Sequence, residues 1–555
     1  MALSAEIYKE LEDIVGPDNV SDDPTILDTY IYPQNATSIH LGPYFRVYTP
    51  RPEAVLLPAT TEEVQAIVKL CNKYKIKFKA SSSIWGGMGY QSYDGAIQLD
   101  MRRMNHIIEI DQKNMFAVIE PYVIGATLQA EAMKVGLNTH IIGAGASCSP
   151  LASAVGFAGA GPDSVYMAKG GENLLGAEWV MPDGELVRTG SLGSGLGWFS
   201  GEGPGPGVRP IIRGGLGSRG AMGVFTKVAL KLYPWPGPAT LPVEGIIPAY
   251  RTSLPKNLTV HSLSFPNWEA WAESAYKLWN AEIGYVVHRQ YNMFGRDLKL
   301  ATVKILNDPK ATLSDIQEML KDPKIIKQNS EMNYDYECVM AGMTMRDIEW
   351  QEKALDQILA ETGGRRSPVM EDPEMKNFSL LFMLRLGHKA LNLVMGGGYD
   401  GAFCQFGTPD FVIAYAKRGS ALKTEWEKQG CMVQAGGDCG MGGIGGMGGG
   451  GMTGLENFVH FDPHSKESTE GCKEFFDAAT ALGVEMKIGG GIEVTNALCR
   501  GSDGKAIPQE VRNKAFGFSK QPQVFRYQQK IKEAFNPNDL GDAYYMNIDD
   551  KVGCK

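Results

Sequence analysis

Two glycine-rich turns, each next to a predicted β-strand, most constrain what this chain can fold into. Residues 76–79 alternate like a strand and lead into the turn at 81–89, and the turn at 214–223 leads into an alternating apolar strand. Glycine has no Cβ, so its backbone adopts angles closed to other residues and its amide groups can approach a phosphate closely. The pattern predicts a site for a phosphate-bearing ligand at these junctions of strand and turn.

Size and composition exclude several classes of protein. A chain of 555 residues exceeds one comfortable hydrophobic core, so we expect two domains. The net charge of -9 argues against a nucleic-acid partner. We see no secretion signal at the N-terminus and no apolar run long enough to span a bilayer. The 9 cysteines lack a C-x-x-C pair, which argues against an iron–sulfur cluster or structural zinc and favours a cytoplasmic location.

Strands and helices alternate up to about residue 235, which is typical of an α+β fold. A hairpin is predicted around the turn Pro182-Asp183-Gly184, and Trp235-Pro236-Gly237-Pro238 marks a domain boundary. Helices are predicted at 5–15, 58–74, 311–321, 347–361, 468–482 and 521–535.

The segment 435–452 is of low complexity and consists largely of glycine. Ordering so many glycines costs conformational entropy, so we predict neither a helix nor an ordinary strand there. Its role remains open between a cavity lined by backbone, a lid and a subunit contact.

Five sequence blocks occur in the order found in one flavoprotein superfamily, and they cover residues 14–24, 58–64, 81–88, 166–190 and 217–226. With these blocks the chain resembles the FAD-binding domain of the vanillyl-alcohol oxidase / p-cresol methylhydroxylase superfamily. It is most similar to the branch of the glycolate oxidase flavoprotein and D-lactate dehydrogenase. The resemblance implies an α+β fold with a two-subdomain FAD-binding domain of the p-cresol methylhydroxylase type and an α+β cap domain. The FAD-binding domain is expected at 1–236, completed by 505–555, and the cap at 237–504.

The resemblance places FAD against three glycine- and serine-rich segments. The residues predicted to bind FAD are Ser81, Ser82, Ser83, Ile84, Trp85, Gly86, Gly87, Met88, Gly145, Ser147, Cys148, Ser149, Ser153, Gly156, Gly159, Gly161, Gly223 and Val224. Some members of the superfamily tether the flavin covalently, and Cys148 and Tyr399 are candidates for such a bond. Because the first loop has no histidine, we expect non-covalent FAD.

The substrate side departs from the pattern of the superfamily. Relatives that oxidise 2-hydroxy acids bind a divalent metal through histidines, whereas this chain has Glu456 and Glu493 near those positions, so we expect no metal. Phenol-oxidising relatives use a Tyr-Arg pair where Lys487 stands here. His460 is either a general base or a histidine held by a neighbouring turn. The candidate catalytic residues are His460, Glu456, Glu493 and Lys487.

Flavin chemistry implies an oxidoreductase that takes a hydride from a small hydroxylated organic substrate, foremost a 2-hydroxy acid. A 4-alkylphenol or another alcohol is the alternative substrate, and a non-catalytic flavin-carrying subunit of a redox complex is the alternative role. Because we find no second redox centre in the sequence, we expect a protein electron acceptor, either an electron-transfer flavoprotein or an iron–sulfur subunit. An oligomer is also expected.

Overall fold

The computed structural model describes residues 3–31, 50–84, 89, 91, 93–143, 145–156, 161–193, 195, 197–198, 209–212, 222–245, 251–289, 310, 323, 334–385, 398–431, 442–447, 450–461, 465–486 and 522–542. Helices and strands occur in both halves of this described chain, as predicted. Among the described helices, none combines the length and the apolar composition that crossing a bilayer requires.

The strands before residue 236 form three small sheets. They are β1 (Val20–Ser21), β2 (Val55–Leu56), β3 (Phe78–Ser81), β4 (Ile97–Asp100), β5 (Ile107–Asp111), β6 (Phe116–Ile119), β7 (Leu137–Asn138), β8 (Leu174–Val180), β9 (Leu186–Arg188), β10 (Val224–Lys231) and β11 (Tyr233–Pro234). The strand order is β1-β2-β4-β3 in the first sheet and β5-β6-β10-β8-β9 in the second, and β7 pairs with β11. In the first sheet β2 and β3 run parallel to β4, and the second sheet is antiparallel.

The helices of this half are α1 (Ala5–Val15), α2 (Pro24–Asp28), α3 (Thr61–Tyr74), α4 (Gly125–Met133), α5 (Pro150–Val155), α6 (Ser164–Met167) and α7 (Arg209–Ile212). Helix α3 shows why the sequence pattern worked. Its N-cap Thr60 accepts a hydrogen bond from the backbone N–H of Glu63, and the helix ends at Lys75 in the left-handed conformation. Val64, Ile67, Val68 and Cys71, at helical spacing, are fully buried against the first sheet.

The second half is built on one antiparallel sheet of seven strands in the order β15-β12-β14-β13-β17-β18-β16. Its strands are β12 (Leu258–Ser264), β13 (Val286–Arg289), β14 (Asp335–Ala341), β15 (Arg365–Arg366), β16 (Gly398–Gly407), β17 (Gly442–Met447) and β18 (Gly450–Phe461). Its helices are α8 (Trp268–Asn280), α9 (Met345–Thr362), α10 (Pro373–Arg385), α11 (Pro409–Lys428) and α12 (Lys466–Glu485). The predicted helices at 347–361 and 468–482 are thus confirmed, and 311–321 lies outside the described residues.

The prediction that the glycine-rich segment forms no ordinary strand was wrong. Residues 442–447 are β17, and β18 begins at residue 450. β17 pairs with β13 on one side, where His288 faces Gly443, and with β18 on the other, where Met447 faces Gly450. Hydrogen bonds to strands on both sides offset the conformational entropy that the glycines lose when they become ordered. The sequence of this segment alone does not reveal those bonds.

A final helix, α13 (Pro522–Phe535), returns the chain to the first half. Phe535 stacks on Trp179 with ring centroids 5.6 Å apart. After the helix, the backbone N–H of Phe78 donates to the carbonyl of Leu540 (3.0 Å), and Lys77 forms an ion pair with Asp539 (2.8 Å). The C-terminal segment therefore contacts β3, directly before the first predicted FAD loop. The division of the chain into domains at residues 236 and 504 stays a prediction.

Candidate functional site

The first predicted FAD loop begins at the end of β3. Ser81 is the last residue of the strand, and its hydroxyl accepts a hydrogen bond from Nε2 of Gln98 on the neighbouring strand (2.8 Å). Ile84 has a positive φ of 44°, which is unusual for a β-branched residue and marks a sharp change of chain direction. Ser82 and Ser83 lie between them, while residues 85–88, including Gly86 and Gly87, lie outside the described residues.

The second predicted loop is a turn that leads into α5. Gly145 has φ of 95°, and its carbonyl accepts from the N–H of Cys148 (3.0 Å). Ser149 caps α5, since its hydroxyl accepts from the N–H of Ala152 (3.2 Å) and donates to the carbonyl of Pro121 (2.6 Å). Ser147 is exposed, whereas Cys148 is buried.

The structure brings these two loops into contact. The backbone N–H of Ser149 donates to the hydroxyl of Ser83 at 3.0 Å. Two segments that are 66 residues apart in sequence therefore lie next to each other, which a ligand common to both would require.

The remaining predicted FAD residues lie in different places. Gly156 ends α5, and Gly161 packs so closely on residues 140 and 141 that a Cβ there would collide with the carbonyl oxygen of Ile141. Gly223 has φ of 92° and lies against Val180, so Gly223 and Val224 join β10 to β8. No described contact links them to the two loops. Gly159 lies outside the described residues.

A pocket next to the second loop has features of a ligand site. It is lined by Gly125, His140, Gly145, Cys148, Ser153 and Gly170, among others. The hydroxyl of Ser153 is buried and has no hydrogen-bond partner among the described residues. A Cβ on Gly125 would lie 2.9 Å from the side chain of Ile141, and one on Gly170 would collide with the Ser153 hydroxyl. Since buried hydroxyls are normally paired, this orphaned group and its glycine walls fit a bound polar ligand such as FAD.

A histidine–carboxylate pair at this pocket was missed by the sequence analysis. Nδ1 of His140 lies 2.5 Å from Oδ1 of Asp163, and the N–H of Ile141 donates to Oδ2 (2.7 Å). Both side chains are buried. A carboxylate at Nδ1 favours the ring form with hydrogen on Nδ1, which makes Nε2 the basic nitrogen. The two residues are 23 positions apart, and no motif links them, so no local sequence signal could have found the pair.

The pocket environment keeps Cys148 in its thiol form. Burial raises the pKa of the Cys148 thiol well above its ordinary value. A thiolate is the nucleophilic form of cysteine, so this side chain is poorly prepared for a covalent bond to flavin.

The candidate catalytic residues of the cap are described in part. The backbone of Glu456 lies in β18 opposite Cys404, and that of His460 lies opposite Tyr399. Lys487 and Glu493 lie outside the described residues. No group of three or more metal-ligating side chains occurs within the described ranges, and the expectation that no metal takes part stays a prediction.

Comparison with protein families identifies the region that contains both loops. A family model described as an FAD binding domain matches residues 52–190. This match confirms FAD as the cofactor. It agrees with the fit of the pocket and the two connected loops.

Three curated proteins are similar to parts of the chain. An uncharacterized FAD-linked oxidoreductase of Mycobacterium tuberculosis is 28% identical over 231 residues, which cover 41% of this chain and 46% of that protein. A probable mitochondrial D-lactate dehydrogenase of Danio rerio is 28% identical over 197 residues (33% and 36%). The flavoprotein subunit of the hydroxylating 4-cresol dehydrogenase of Pseudomonas putida is 28% identical over 235 residues (38% and 41%). The chain thus spans less than half the length of each of these relatives.

The solved structure of p-cresol methylhydroxylase with substrate bound resembles the chain over nearly its whole length. The TM-score is 0.71 at 18% sequence identity, and the likeness covers 99% of this chain and 98% of the other. At this identity the likeness shows the fold alone. It confirms the predicted α+β fold with an FAD-binding domain of the p-cresol methylhydroxylase type.

Proposed function

Because this chain belongs to the vanillyl-alcohol oxidase / p-cresol methylhydroxylase superfamily of FAD-dependent oxidoreductases, we propose that it oxidises a small hydroxylated organic molecule. Bound FAD would supply the acceptor for a hydride that leaves the substrate carbon. The observation that carries the proposal is the pocket beside the second loop, with its orphaned Ser153 hydroxyl and its close glycine walls.

Two substrate classes are candidates. Relatives named D-lactate dehydrogenase favour a 2-hydroxy acid, and the relative named 4-cresol dehydrogenase favours a 4-alkylphenol or a similar alcohol. Both classes carry a hydroxyl group and a carbon that can lose a hydride, so they require the same kind of proton acceptor.

Two histidines are proposed as that proton acceptor. His460 in β18 remains the candidate from the cap, with Glu456, Lys487 and Glu493 as further proposed catalytic residues. His140 is the candidate from the FAD-binding half, because it lines the pocket and Asp163 orients its ring.

The electron acceptor is proposed to be a second protein, an electron-transfer flavoprotein or an iron–sulfur subunit. The relative from Pseudomonas putida is named as a subunit, which supports a partner and an oligomeric assembly. The thiols of Cys71, Cys148, Cys338, Cys431 and Cys472 are buried and form no disulfide bond, which supports a reducing, cytoplasmic location.

Anaerobic reduction of the flavin tests the proposal. We expect the absorption band of oxidised flavin to bleach on addition of either D-lactate or 4-methylphenol. If dithionite bleaches the band and no member of either class does, the protein is a flavin carrier rather than an enzyme.

Two matched histidine variants test the role of His140. His140→Gln is expected to slow flavin reduction by about a hundredfold, the contribution of a general base. His106→Gln is the control, because His106 also contacts a carboxylate, that of Glu120 at 2.7 Å, but is largely exposed. Unchanged reduction in His140→Gln assigns proton removal to another residue, with His460 the next to be replaced.

A further inference from the structure

The pocket beside the second loop is lined by an exposed cation and by a buried hydroxyl without a partner. Lys231, the last residue of β10, is exposed and lines the pocket, so it lies where the pocket meets solvent. Ser153 of α5 is only 5% exposed, and its hydroxyl has no hydrogen-bond partner among the described residues. No aspartate or glutamate occurs among the described lining residues. The pocket wall therefore offers a positive charge and a hydrogen-bond donor.

Lys231 differs from Lys227, the other lysine of β10, in what surrounds its ammonium group. Nζ of Lys227 lies 2.6 Å from Oε1 of the buried Glu178, so that charge is paired. The described chain provides no carboxylate within ion-pair distance of Lys231. Its Nζ lies instead 4.5 Å from the ring centroid of Tyr233. An aromatic face attracts a cation but does not cancel its charge, so Lys231 can still bind an anion.

The ring beneath Lys231 is itself fixed in place. Tyr233 is buried, and its hydroxyl donates to Oδ1 of Asn173 at 2.7 Å. Asn173 is another residue of the pocket wall, and its Nδ2 donates to the carbonyls of Met167 and Lys169, both at 3.0 Å. These contacts restrict the ammonium group before a ligand arrives, which lowers the entropic cost of binding.

Two acidic side chains lie near Tyr233 without pairing with Lys231. Burial raises the pKa of Tyr233, and the charges of Asp163 and Glu172 raise it further, so its hydroxyl stays a protonated donor. The carboxylate of Asp163 already contacts Nδ1 of His140 (2.5 Å) and accepts from a backbone N–H. The positive charge of Lys231 therefore remains available at the pocket.

Building on the proposed function, we propose that Lys231 and Ser153 form a binding site for an anionic oxygen group, either a phosphate of FAD or the carboxylate of a 2-hydroxy acid. The ammonium group supplies charge and donors, and the hydroxyl can donate a further hydrogen bond to the same kind of ligand. An anion would give the buried hydroxyl the partner that it lacks. Both sources share this chemistry and differ in whether the anion arrives with the cofactor or with the substrate.

Fluorescence titration of the apoprotein with FAD and with riboflavin tests the first source. Riboflavin carries the isoalloxazine ring of FAD but no phosphate. If the anion is a phosphate of FAD, Lys231→Gln should weaken FAD binding about tenfold and leave riboflavin binding unchanged, because a hydrogen bond to a charged group is lost only with FAD. Lys231→Arg keeps the charge and should restore most of the FAD affinity.

Calorimetric titration of the holoenzyme with 2-hydroxyisobutyrate tests the second source. This 2-hydroxy acid has no hydrogen on its hydroxyl-bearing carbon, so it cannot lose a hydride to the flavin. If the anion is the carboxylate of the substrate, Lys231→Gln should weaken its binding about tenfold while FAD affinity stays unchanged. Lys73→Gln is the matched control, because Nζ of Lys73 also lies 4.5 Å from a tyrosine ring, that of Tyr74, but does not line the pocket. It should change neither ligand.

Replacement of Ser153 gives a second, independent variant. Ser153→Ala should weaken the same ligand as Lys231→Gln. The thermal unfolding midpoint of the apoprotein should stay unchanged or rise, because a buried hydroxyl without a partner adds no hydrogen bond to the fold. Ser274 is the matched control, since it is also buried but donates to the carbonyl of Trp271 in α8 (2.7 Å). Ser274→Ala should leave the binding of both ligands unchanged.

Two results would overturn the anion site. One is unchanged affinity of Lys231→Gln for both FAD and 2-hydroxyisobutyrate, and the other is equal weakening of FAD and riboflavin. Flavin reduction is measured separately. If no substrate of either class reduces the flavin while Lys231→Gln weakens FAD but not riboflavin, the proposed function fails and the anion site stands.

Discussion

Glu178 shows how one buried carboxylate connects several elements of the FAD-binding half. Its Oε1 accepts from Lys227 of β10 (2.6 Å) and Thr61 of α3 (2.8 Å), and its Oε2 accepts from Arg188 of β9 (2.9 Å). Burial alone would raise the pKa of Glu178, but these hydrogen bonds outweigh it and lower the pKa to about 2. The charged form is thus strongly favoured in the folded state.

The lowered pKa of Glu178 predicts a pH-dependent contribution to the free energy of unfolding. A carboxyl group whose pKa falls on folding stabilises the protein above its ordinary pKa of 4.5, and that stabilisation is lost as the pH falls towards about 2. The shift corresponds to about 3 kcal/mol. Glu178→Gln should therefore lower the urea midpoint at pH 7, with a smaller difference from wild type at pH 3. Glu185 is exposed in the adjacent turn, so Glu185→Gln should leave the urea midpoint unchanged at both pH values. A constant difference across this pH range would contradict the assignment.

Sequence reasoning selected single residues of the candidate site only where backbone chemistry favoured them. The serines and glycines of both loops were selected because their side chains are small and next to strands, and they stay predictions, although a hydrogen bond between Ser149 and Ser83 connects the two loops. His140 and Asp163 were not found, because their contact depends on how residues 139–141 fold back on residues 161–164. A contact of that kind has no signature in local sequence.

At the scale of elements, the turn before α5 gives a test of the FAD site. Gly145 and Gly136 both have positive φ, 95° and 75°, so replacement of either by alanine should cost about 1 kcal/mol of stability. Gly145 lines the pocket, whereas a Cβ on Gly136 meets no atom within 4 Å. We therefore expect Gly145→Ala to weaken FAD binding about tenfold in a fluorescence titration and Gly136→Ala to leave it unchanged. Equal affinities in the two variants would remove Gly145 from the site.

Elements were predictable when their stabilising signals are local. Helix α3 carries its own cap and a buried stripe, and the β8–β9 hairpin carries Gly184 at φ of 89° in its turn. The glycine-rich strand β17 has no cap and no apolar alternation of its own, and it is held by β13, which is distant in sequence, as well as by β18, which follows after two residues. The sequence pattern therefore failed where strand formation depends on neighbouring strands.

At the scale of the whole molecule, the two halves meet over a large buried cluster. Met133, Tyr233 and Trp235 pack with Val260 and Val339 of the seven-stranded sheet. Arg385 at the end of α10 donates to the side chain of Gln129 (3.1 Å), and its carbonyl accepts from Ala146 in the second loop (2.9 Å). The second loop therefore depends on both halves, so loss of either half should disturb the cofactor site.

The buried Cys148 and the contacts of the second loop with both halves lead to a prediction about how FAD is held. Because burial keeps Cys148 protonated, acid precipitation should release FAD into the supernatant, and Cys148→Ala should retain FAD as fully as Cys71→Ala, whose thiol is buried in α3 away from the pocket. A ligand that binds only the folded state stabilises it by mass action, by about 2.7 kcal/mol at a hundredfold excess over Kd. FAD added to the apoprotein should therefore raise the thermal unfolding midpoint. If the second loop couples the two halves, the protein with FAD should unfold in one transition. Flavin that stays in the precipitate of the wild type but not in that of Cys148→Ala would establish a covalent bond to Cys148. Flavin that stays in the precipitate of both the wild type and Cys148→Ala would make Tyr399 the next candidate for the bond.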